Sequence, residues 1–321
     1  MFGFFFAHGF HAMRVVLIHN PGAGDDSSPD AKQLKTMIRD AGHELEYCSS
    51  KGRRWKSVIE DPVDLVAIAG GDGTVAKVAR RVIGQHVPLA VLPVGTANNI
   101  SKTLGLKDMT VPTLISGWNA ARRKRFDAGI VTGPWKSRHF IEGVGAGLFA
   151  SAMPDADTNV TLESLNDAEV KATYAQQLLR DRLKECPSMH LDVSLDGTDL
   201  SGEYILLEAM NMEFVGPNLY LAPDSRADDG LLDVVLIAEQ HRRKLDAYLS
   251  TWQEGVMWPP DFTTLKGARL EVEWTGFDIH IDDKIYPRKK KARSKAPARI
   301  SVEVDHAALE FLVPAPSQAQ R

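Results

Sequence analysis

The sequence predicts an α/β domain with a parallel, Rossmann-like sheet, followed by a β-rich domain built as an antiparallel sandwich. Over the first third of the 321 residues, apolar runs alternate with amphipathic helical patterns, as in a parallel sheet with crossover helices. One apolar run leads directly into a glycine-rich turn, and beyond residue 125 most runs alternate like antiparallel strands. We expect the first domain at 1–125 and the second at 126–299, with a last strand near 300–314 that returns to the first.

The α/β domain is predicted from four apolar runs and two helical patterns. The runs that indicate strands, each with clustered apolar residues, are 14–19, 43–48, 63–69 and 88–93. Helices are expected over 29–42 and 74–83, where apolar residues recur at helical spacing. Gly42 is the expected stop of the first helix, and Thr74 the expected N-cap of the second. Loops at 20–24, 70–74 and 94–99 follow three of these strands.

In the second domain the patterns indicate mainly strands. They cover 126–131, 139–144, 189–195, 204–210, 231–237, 268–274 and 277–281, with helices expected over 164–185 and 240–251. Asp196-Gly197 is a typical hairpin turn. The basic run 122–125, at the junction, is expected to be a linker or a helix end that faces solvent.

Composition limits the function classes. A net charge of −4 argues against a nucleic-acid binder whose whole surface is basic. Cys48 and Cys186 lie far apart and form no metal-ligand pair, which fits a reducing cytoplasm. Residues 1–12 are apolar but too short to span a bilayer, so we interpret them as a disordered extension.

The strongest chemical signal is the turn Gly70-Gly71-Asp72-Gly73-Thr74. At the carboxyl end of a parallel strand, glycines let backbone N–H groups close on a phosphate, and the next helix adds its positive end. A carboxylate such as Asp72 is favourable there when it meets Mg²⁺ or its water. The alternative is an ordinary strand–turn–helix corner, but two further loops at the same sheet edge favour a binding crevice.

These motifs resemble the diacylglycerol kinase catalytic family, which includes soluble bacterial lipid kinases and sphingosine and ceramide kinases, in the superfamily of NAD kinases and phosphofructokinases. The matching segments are Asn20-Pro21-Gly22-Ala23-Gly24, the glycine turn, 93–98, Phe126-Asp127-Ala128-Gly129, 216–223 and 228–233. They follow one another in order from about residue 14 to 313. The resemblance implies an NAD kinase/diacylglycerol kinase type of fold, ATP as co-substrate, Mg²⁺, and transfer of the γ-phosphoryl group to a lipid such as diacylglycerol or a sphingoid base.

The resemblance also implies roles for individual residues. The expected nucleotide contacts are Asn20, Pro21, Gly22, Ala23, Gly24, Ser49 or Ser50, Gly70, Gly71, Asp72, Gly73, Thr74, Thr96 and Asn98. Asp229 is the expected base for the acceptor hydroxyl, and Asp72 is the second expected catalytic residue. From the residues alone, Asp228-Asp229-Gly230 is better explained as a plain turn before a strand, and only the resemblance favours the catalytic role. Which residues would bind the metal ion directly is left unassigned.

Some positions depart from the family. Ala76 and Lys77 stand where the family often has Asn-Glu, Asn99 replaces a carboxylate, and Lys284 stands in place of a glutamate. The alternatives are therefore an NAD kinase-like enzyme or other kinase with a soluble acceptor, or a nucleotide- or lipid-binding sensor with weakened catalysis. Trp252, Met257 and Trp258 are expected in the core or in the acceptor pocket.

The basic run 288–295 predicts either a solvated loop or peripheral contact with an anionic membrane. It lacks interleaved aromatic residues, so nucleic acid is not an expected partner. We expect a cytoplasmic protein, peripheral at the inner membrane surface if the run contacts lipid. The oligomeric state is left open, a homodimer included.

Overall fold

The computed structural model describes residues 12–25, 27–157, 159, 161, 164, 165, 167–253, 262–287 and 295–315. Several predictions made from the sequence lie outside these residues. They are the extension at 1–11, the basic run at 288–294, Met257, Trp258 and the side chain of Trp252.

Parallel strands and crossover helices form the first part of the fold, as the sequence predicts. The strands are β1 (Arg14–His19), β2 (Glu44–Ser49), β3 (Leu65–Gly70) and β4 (Leu89–Pro93), adjacent in the order β2-β1-β3-β4. The helices are α1 (Ala31–Asp40), α2 (Trp55–Val58), α3 (Asp72–Val82), α4 (Asn99–Thr103) and α5 (Val111–Gly117), followed by a 3-10 turn (Trp118–Ala120). Every residue of β3 is buried, as expected for a strand covered on both faces of a parallel sheet.

The start of α3 differs from the prediction. Gly71 is the N-cap of this helix, with an extended backbone, and the helix begins at Asp72. The prediction that Thr74 caps the helix is therefore wrong. Strand β3 passes into α3 with a single intervening residue, and the Thr74 hydroxyl bonds to the neighbouring Asn20 loop instead.

The rest of the chain is mainly antiparallel. The remaining strands are β5 (Arg122–Thr132), β6 (Arg138–Phe140), β7 (Gly143–Gly147), β8 (Met189–Leu191), β9 (Val193–Leu195), β10 (Thr198–Asp199), β11 (Gly202–Met210), β12 (Phe214–Val215), β13 (Leu219–Tyr220), β14 (Leu232–Ala238), β15 (Thr264–Gly267), β16 (Arg269–Trp274), β17 (Ile279–Ile281), β18 (Lys284–Tyr286) and β19 (Ala298–Val313). The helices are α6 (Leu148–Asp157), α7 (Ala168–Glu185) and α8 (Arg242–Gln253), with a 3-10 turn (Glu239–His241). The hairpin at Asp196-Gly197 is confirmed, with positive φ at both residues.

Two large sheets carry most of these strands, and β12 and β13 pair with each other in a small third sheet. One runs β15-β14-β11-β7-β17-β18, with β8 also paired to β11. The other joins the parallel strands to β19, β16, β9 and β10, and β5 and β6 add to it through β19. The predicted fold class, an α/β part followed by a β-rich part, is confirmed.

Two long strands, β5 and β19, connect the two parts of the fold. They pair with each other in antiparallel register, and β19 also pairs in parallel with β4, where Phe311 faces Leu89. The basic residues at 122–125 lie in β5 and pair with residues 310–313 of β19, so the expectation of a linker or helix end is wrong. The domain boundary proposed at residue 125 falls inside β5.

Candidate active site

The loops that follow β1, β3 and β4 meet at one edge of the parallel sheet. The Asn20 amide donates to the Thr74 hydroxyl at 3.2 Å, which joins the first loop to the glycine turn. Gly71 and Gly95 pack backbone against backbone: a Cβ built on Gly95 would lie 2.2 Å from the Gly71 Cα. Glycine is therefore required where the second and third loops touch.

Asp72 also ties the glycine turn to the third loop. Its Oδ1 accepts the backbone N–H of Ile100, in the first turn of α4, at 2.9 Å. Burial raises the pKa of Asp72, and the N–H groups of Ile100 and Asn99 and the charge of Lys102 oppose that rise. Asp72 is thus a buried carboxyl held by backbone donors.

The other predicted nucleotide residues lie around this edge. Asn20 organises its own loop, because its Oδ1 accepts the Gly22 N–H at 3.1 Å. Asn98 closes the third loop by accepting from Gly95 N–H and donating to Gly95 C=O, so its amide is used within the loop. Thr96 lines a polar cavity of about 530 Å³ between this loop and α7. Ser49 ends β2, and its hydroxyl accepts the Lys51 N–H.

Lys51 and Lys77 add positive charge that the sequence analysis did not assign to the site. The Lys51 ammonium lies 3.1 Å from the position that a Cβ on Gly22 would take, directly over the first loop. Lys77 donates to the Ser50 carbonyl at 2.7 Å, and burial lowers the pKa of its ammonium. Lys77 stands where the family often has a glutamate. In this chain its hydrogen bond to Ser50 links the end of β2 to α3.

A cavity of about 210 Å³ lies beside the glycine turn. Its walls are mainly apolar and come from α6, α7 and the 215–217 loop. The apolar residues are Phe149, Ala152, Met153, Ala156, Ala175, Leu178, Leu179, Val215 and Pro217. Its other end is acidic, formed by Asp72, Glu142, Asp282 and Asp283. The cavity thus combines a surface suited to hydrocarbon with carboxyl groups next to the predicted phosphate loop.

Asp283 brings the second part of the fold to the glycine turn. Its Oδ2 lies 3.5 Å from the position that a Cβ on Gly73 would take, and it pairs with the Lys284 ammonium at 2.8 Å. The other oxygen, Oδ1, is buried and has no hydrogen-bond partner among the described residues. Asp283 is therefore a carboxylate with an unused acceptor at the junction of cavity and turn. From the sequence, only its neighbour Lys284 was noted, as a departure from the family.

Asp282 has a different environment. Its buried carboxylate accepts the N–H groups of Ile141 at 3.0 Å and Glu142 at 2.8 Å, and it forms an ion pair with Arg80 of α3. These partners fix the β17–β18 turn against α3 and against the start of β7.

Glu142 is the most perturbed of the acids. Burial raises its pKa well above the ordinary value, and the nearby charges of Asp72 and Asp282 raise it further. Asn99 donates to its Oε2 at 3.3 Å and to the Gly216 carbonyl at 2.9 Å. Asn99, noted from the sequence as a missing carboxylate, thus supports a carboxyl group from the connection between β6 and β7.

Asp229 lies elsewhere. Its carboxylate accepts the Leu231 N–H at 3.1 Å and pairs with the Lys266 ammonium at 3.1 Å. Within the described part of the chain, it is not among the residues that line the apolar cavity. The structure therefore brings Asp72 and Asp283 together at the glycine turn, and it places Asp229 beside β15.

The acid cluster fits a Mg²⁺ ion that is held mainly by phosphate. No group of three or more His, Cys, Asp or Glu among the described residues is arranged to hold a metal by itself. Mg²⁺ in phosphoryl-transfer enzymes usually takes one or two carboxylates and completes its shell with substrate phosphates and water. The unpartnered Asp283 Oδ1 and the neighbouring Asp72 provide that number of carboxylates.

Two known domains match this chain. Residues 14–131 match the diacylglycerol kinase catalytic domain, and residues 149–305 match the YegS C-terminal NAD kinase beta sandwich-like domain. A "Diacylglycerol kinase" of Mycobacterium tuberculosis (strain ATCC 25618 / H37Rv) is 24% identical over 249 residues, 76% of this chain and 74% of the relative. A "Probable lipid kinase YegS-like" of Pseudomonas aeruginosa (strain UCBPP-PA14) is 26% identical over 303 residues, 90% of this chain and 93% of the relative.

Among solved structures, a diacylglycerol kinase from Bacillus anthracis str. Sterne superposes with a TM-score of 0.70 at 20% identity, over 96% of this chain and 98% of that one. This likeness supports the fold. Taken with the two matched domains, the fold and the glycine turn define a kinase of the lipid kinase-like class. The chain belongs to the diacylglycerol kinase catalytic domain family, with a YegS-type C-terminal domain. No helix in the described ranges has the length and apolarity needed to cross a membrane.

Proposed function

We propose that this protein transfers the γ-phosphoryl group of ATP to a hydroxyl group of a lipid. The observation that carries the proposal is the apolar cavity whose acidic end lies against the glycine turn. A soluble polyhydroxylated acceptor would need polar partners along the walls, whereas α6 and α7 offer Phe149, Met153 and Leu179.

The donor side is assigned to the three converging loops. Backbone N–H groups of the glycine turn and the N-terminus of α3 would hold the phosphates, and Lys51 would neutralise part of their charge. Asn20 and Thr74 keep the first two loops in register through their hydrogen bond. When bound, Mg²⁺ supplies neutralisation of the charge on the β- and γ-phosphates.

The acceptor side is assigned to carboxylates at the acidic end of the cavity. The lipid hydroxyl oxygen would attack the γ-phosphorus while the bond to the β–γ bridging oxygen breaks and ADP leaves. Asp72 or Asp283 would take the hydroxyl proton, since both line the cavity beside the turn. Asp229, the base expected from the sequence, is assigned instead a structural role through Lys266.

Contact with a membrane remains a prediction from the basic run at 288–295, as does a cytoplasmic location. A lipid acceptor would bring the protein to a bilayer surface, where each basic residue contributes roughly 1 kcal/mol of attraction to anionic lipid.

An acceptor screen tests the proposal. Purified protein would be incubated with γ-labelled ATP and Mg²⁺, separately with a lipid extract in detergent micelles and with NAD. We expect label in the lipid fraction and none in NADP. Label in NADP alone would favour a soluble-acceptor kinase, and ATP consumption in neither arm would favour a binding sensor.

A further inference from the structure

A buried histidine–glutamate pair lies beneath the acidic end of the cavity. Glu208 on β11 and His280 on β17 flank Gly145 of β7 in one row across the sheet. The His280 Nε2 and the Glu208 Oε1 are 2.5 Å apart, above the glycine. A Cβ built on Gly145 would lie 2.3 Å from Glu208 Oε1, so the pair needs a residue without a side chain between the two strands.

The hydrogen-bond partners fix the protons on the ring. His280 Nδ1 lies 3.2 Å from the backbone carbonyl of Asp282, and a carbonyl only accepts. Nδ1 therefore carries a hydrogen, and Nε2 shares one further proton with Glu208. Burial raises the pKa of Glu208. Burial alone would lower the pKa of His280, but the neighbouring Glu208 outweighs it and raises that pKa. The pair thus keeps one shared proton.

The same hydrogen bonds lead to the glycine turn. Asp282, whose carbonyl accepts from His280, has a left-handed backbone with φ of 47°. A residue other than glycine seldom adopts this conformation, and it persists where surrounding contacts enforce it. The next residue is Asp283, whose carboxylate lies against Gly73. Glu208 is thus connected to the Asp283 turn through His280 and the Asp282 carbonyl.

The pair is poorly explained as a source of stability. Both side chains are almost fully buried, and the second carboxyl oxygen, Glu208 Oε2, has no hydrogen-bond partner within the described ranges. Replacing a buried ion pair by apolar residues is often neutral or stabilising, because desolvation of the charges offsets their attraction. His280 also lines the cavity, with its ring 6.1 Å from that of Phe149.

We propose that Glu208 and His280 are positioning residues that hold the Asp282–Asp283 turn at the distance from the glycine turn that phosphoryl transfer requires. This inference rests on the proposed function. It assigns no contact with substrate to either residue: they act through the Asp282 carbonyl. A displacement of about 1 Å in a reacting group can reduce the rate about 100-fold.

Two substitutions of Glu208 separate positioning from stability. In Glu208→Gln the amide can donate to the unprotonated Nε2 of a neutral His280, so the ring keeps its orientation and Nδ1 keeps its hydrogen. In Glu208→Leu the Nε2 partner is lost. The matched control is Val234→Ala, which removes packing from a fully buried residue on β14, away from the cavity lining in the described residues.

We expect kcat of Glu208→Gln within about threefold of wild type, and a loss of about tenfold to 100-fold in Glu208→Leu with KM for ATP unchanged. Val234→Ala should lower Tm. Its kcat should equal that of wild type when each protein is assayed the same number of degrees below its own Tm. Nitrogen-15 NMR of the histidine ring should show the Nε2 proton shared with Glu208 in wild type and an Nε2 without a proton in Glu208→Gln, with the Nδ1 hydrogen retained in both because the Asp282 carbonyl accepts it. If the leucine variant does not fold, Glu208→Asp takes its place, because its carboxylate is one methylene shorter and is drawn back from Nε2.

A Glu208→Leu enzyme with the kcat of Val234→Ala would overturn the inference, as would a folded Glu208→Gln enzyme as slow as the leucine variant. If wild type phosphorylates no lipid, the proposed function fails, and the NMR comparison alone decides whether Glu208 shares a proton with His280 Nε2.

Discussion

Asp72, in the glycine turn after β3, accepts the backbone N–H of Ile100, at the start of the helix after β4, at 2.9 Å. One carboxyl group therefore joins two of the three loops that form the proposed nucleotide site, and it also lines the apolar cavity. The donor and acceptor sides of the proposed reaction share this residue.

The contact between Gly71 and Gly95 should control nucleotide binding. In Gly95→Ala the new Cβ would lie 2.2 Å from the Gly71 Cα, which forces the two loops apart. We expect the Kd for ATP, measured by calorimetry, to rise at least about tenfold, since backbone donors act only at hydrogen-bond distance. Gly117→Ala is the control, because no atom lies within 4 Å of its Cβ position. Equal affinities in both variants would contradict the proposed phosphate site.

Substitution of Asp283 and of Asp229 should have different effects. Loss of a carboxylate that takes a proton or holds the metal lowers the rate by about 10²–10⁴-fold, and we expect this range for Asp283→Ala. Asp229→Asn weakens the pair with Lys266 and should lower Tm, with kcat within about threefold of wild type. Initial rates and thermal unfolding of both variants provide the comparison. A large loss of kcat in Asp229→Asn alone would restore the base expected from the sequence.

Filling the apolar cavity should weaken binding of the lipid and leave binding of the nucleotide unchanged. Ala175 lies on α7 and lines the cavity, so Ala175→Phe reduces its volume of about 210 Å³. We expect the KM for a long-chain lipid alcohol to rise at least about tenfold, with the Kd for ATP unchanged. Val170→Phe introduces the same side chain at an exposed position of α7 that is not among the residues described as lining either cavity, and serves as control. An unchanged lipid KM in Ala175→Phe would place the acceptor elsewhere.

The buried acid cluster should make stability fall as pH rises. Because the pKa of Glu142 is raised in the folded protein, folding retains a proton that the unfolded chain loses above about pH 4.5. One such proton costs up to about 1.4 kcal/mol per pH unit, until pH exceeds the folded pKa. Glu142→Gln should remove this dependence of stability on pH. The unfolding free energy of the variant minus that of wild type should therefore increase between about pH 5 and about pH 8.

Denaturant titrations at the two pH values measure this difference. Glu185→Gln, which changes a glutamate whose side chain is 79% exposed, should leave the pH dependence as it is in wild type. A difference between Glu142→Gln and wild type that is constant with pH would show that Glu142 is ionised in the folded protein.

The strands and the loop positions could be predicted because they depend on local patterns. The run 14–19 gives β1 with the same bounds, and the three loops converge because parallel strands present their carboxyl ends at one edge. The N-cap of α3 could not be predicted, because Thr74 is a favourable cap by type and its hydroxyl is used by Asn20, 54 residues away.

The acidic end of the cavity was largely missed for the same reason. Glu142, Asp282 and Asp283 come from strands and turns of the second part of the fold, and they reach Asp72 only through tertiary packing. Asp229 stands in a segment that resembles a family motif, yet its environment depends on Lys266 in a strand 37 residues later. Helix α6, with Pro154 inside it and weak amphipathicity, gave no helical signal, so the apolar wall was also missed.

The most direct test of the central claim is transfer of γ-labelled phosphate from ATP to diacylglycerol or a sphingoid base in micelles, by wild type and by Asp72→Asn. The asparagine oxygen can still accept from Ile100, so the variant should fold with a similar Tm while losing the negative charge. We expect labelled lipid from wild type and a kcat lower by about 10²–10⁴-fold in the variant. Absence of labelled lipid from folded wild-type protein across these acceptors, or full activity of Asp72→Asn, would contradict the account.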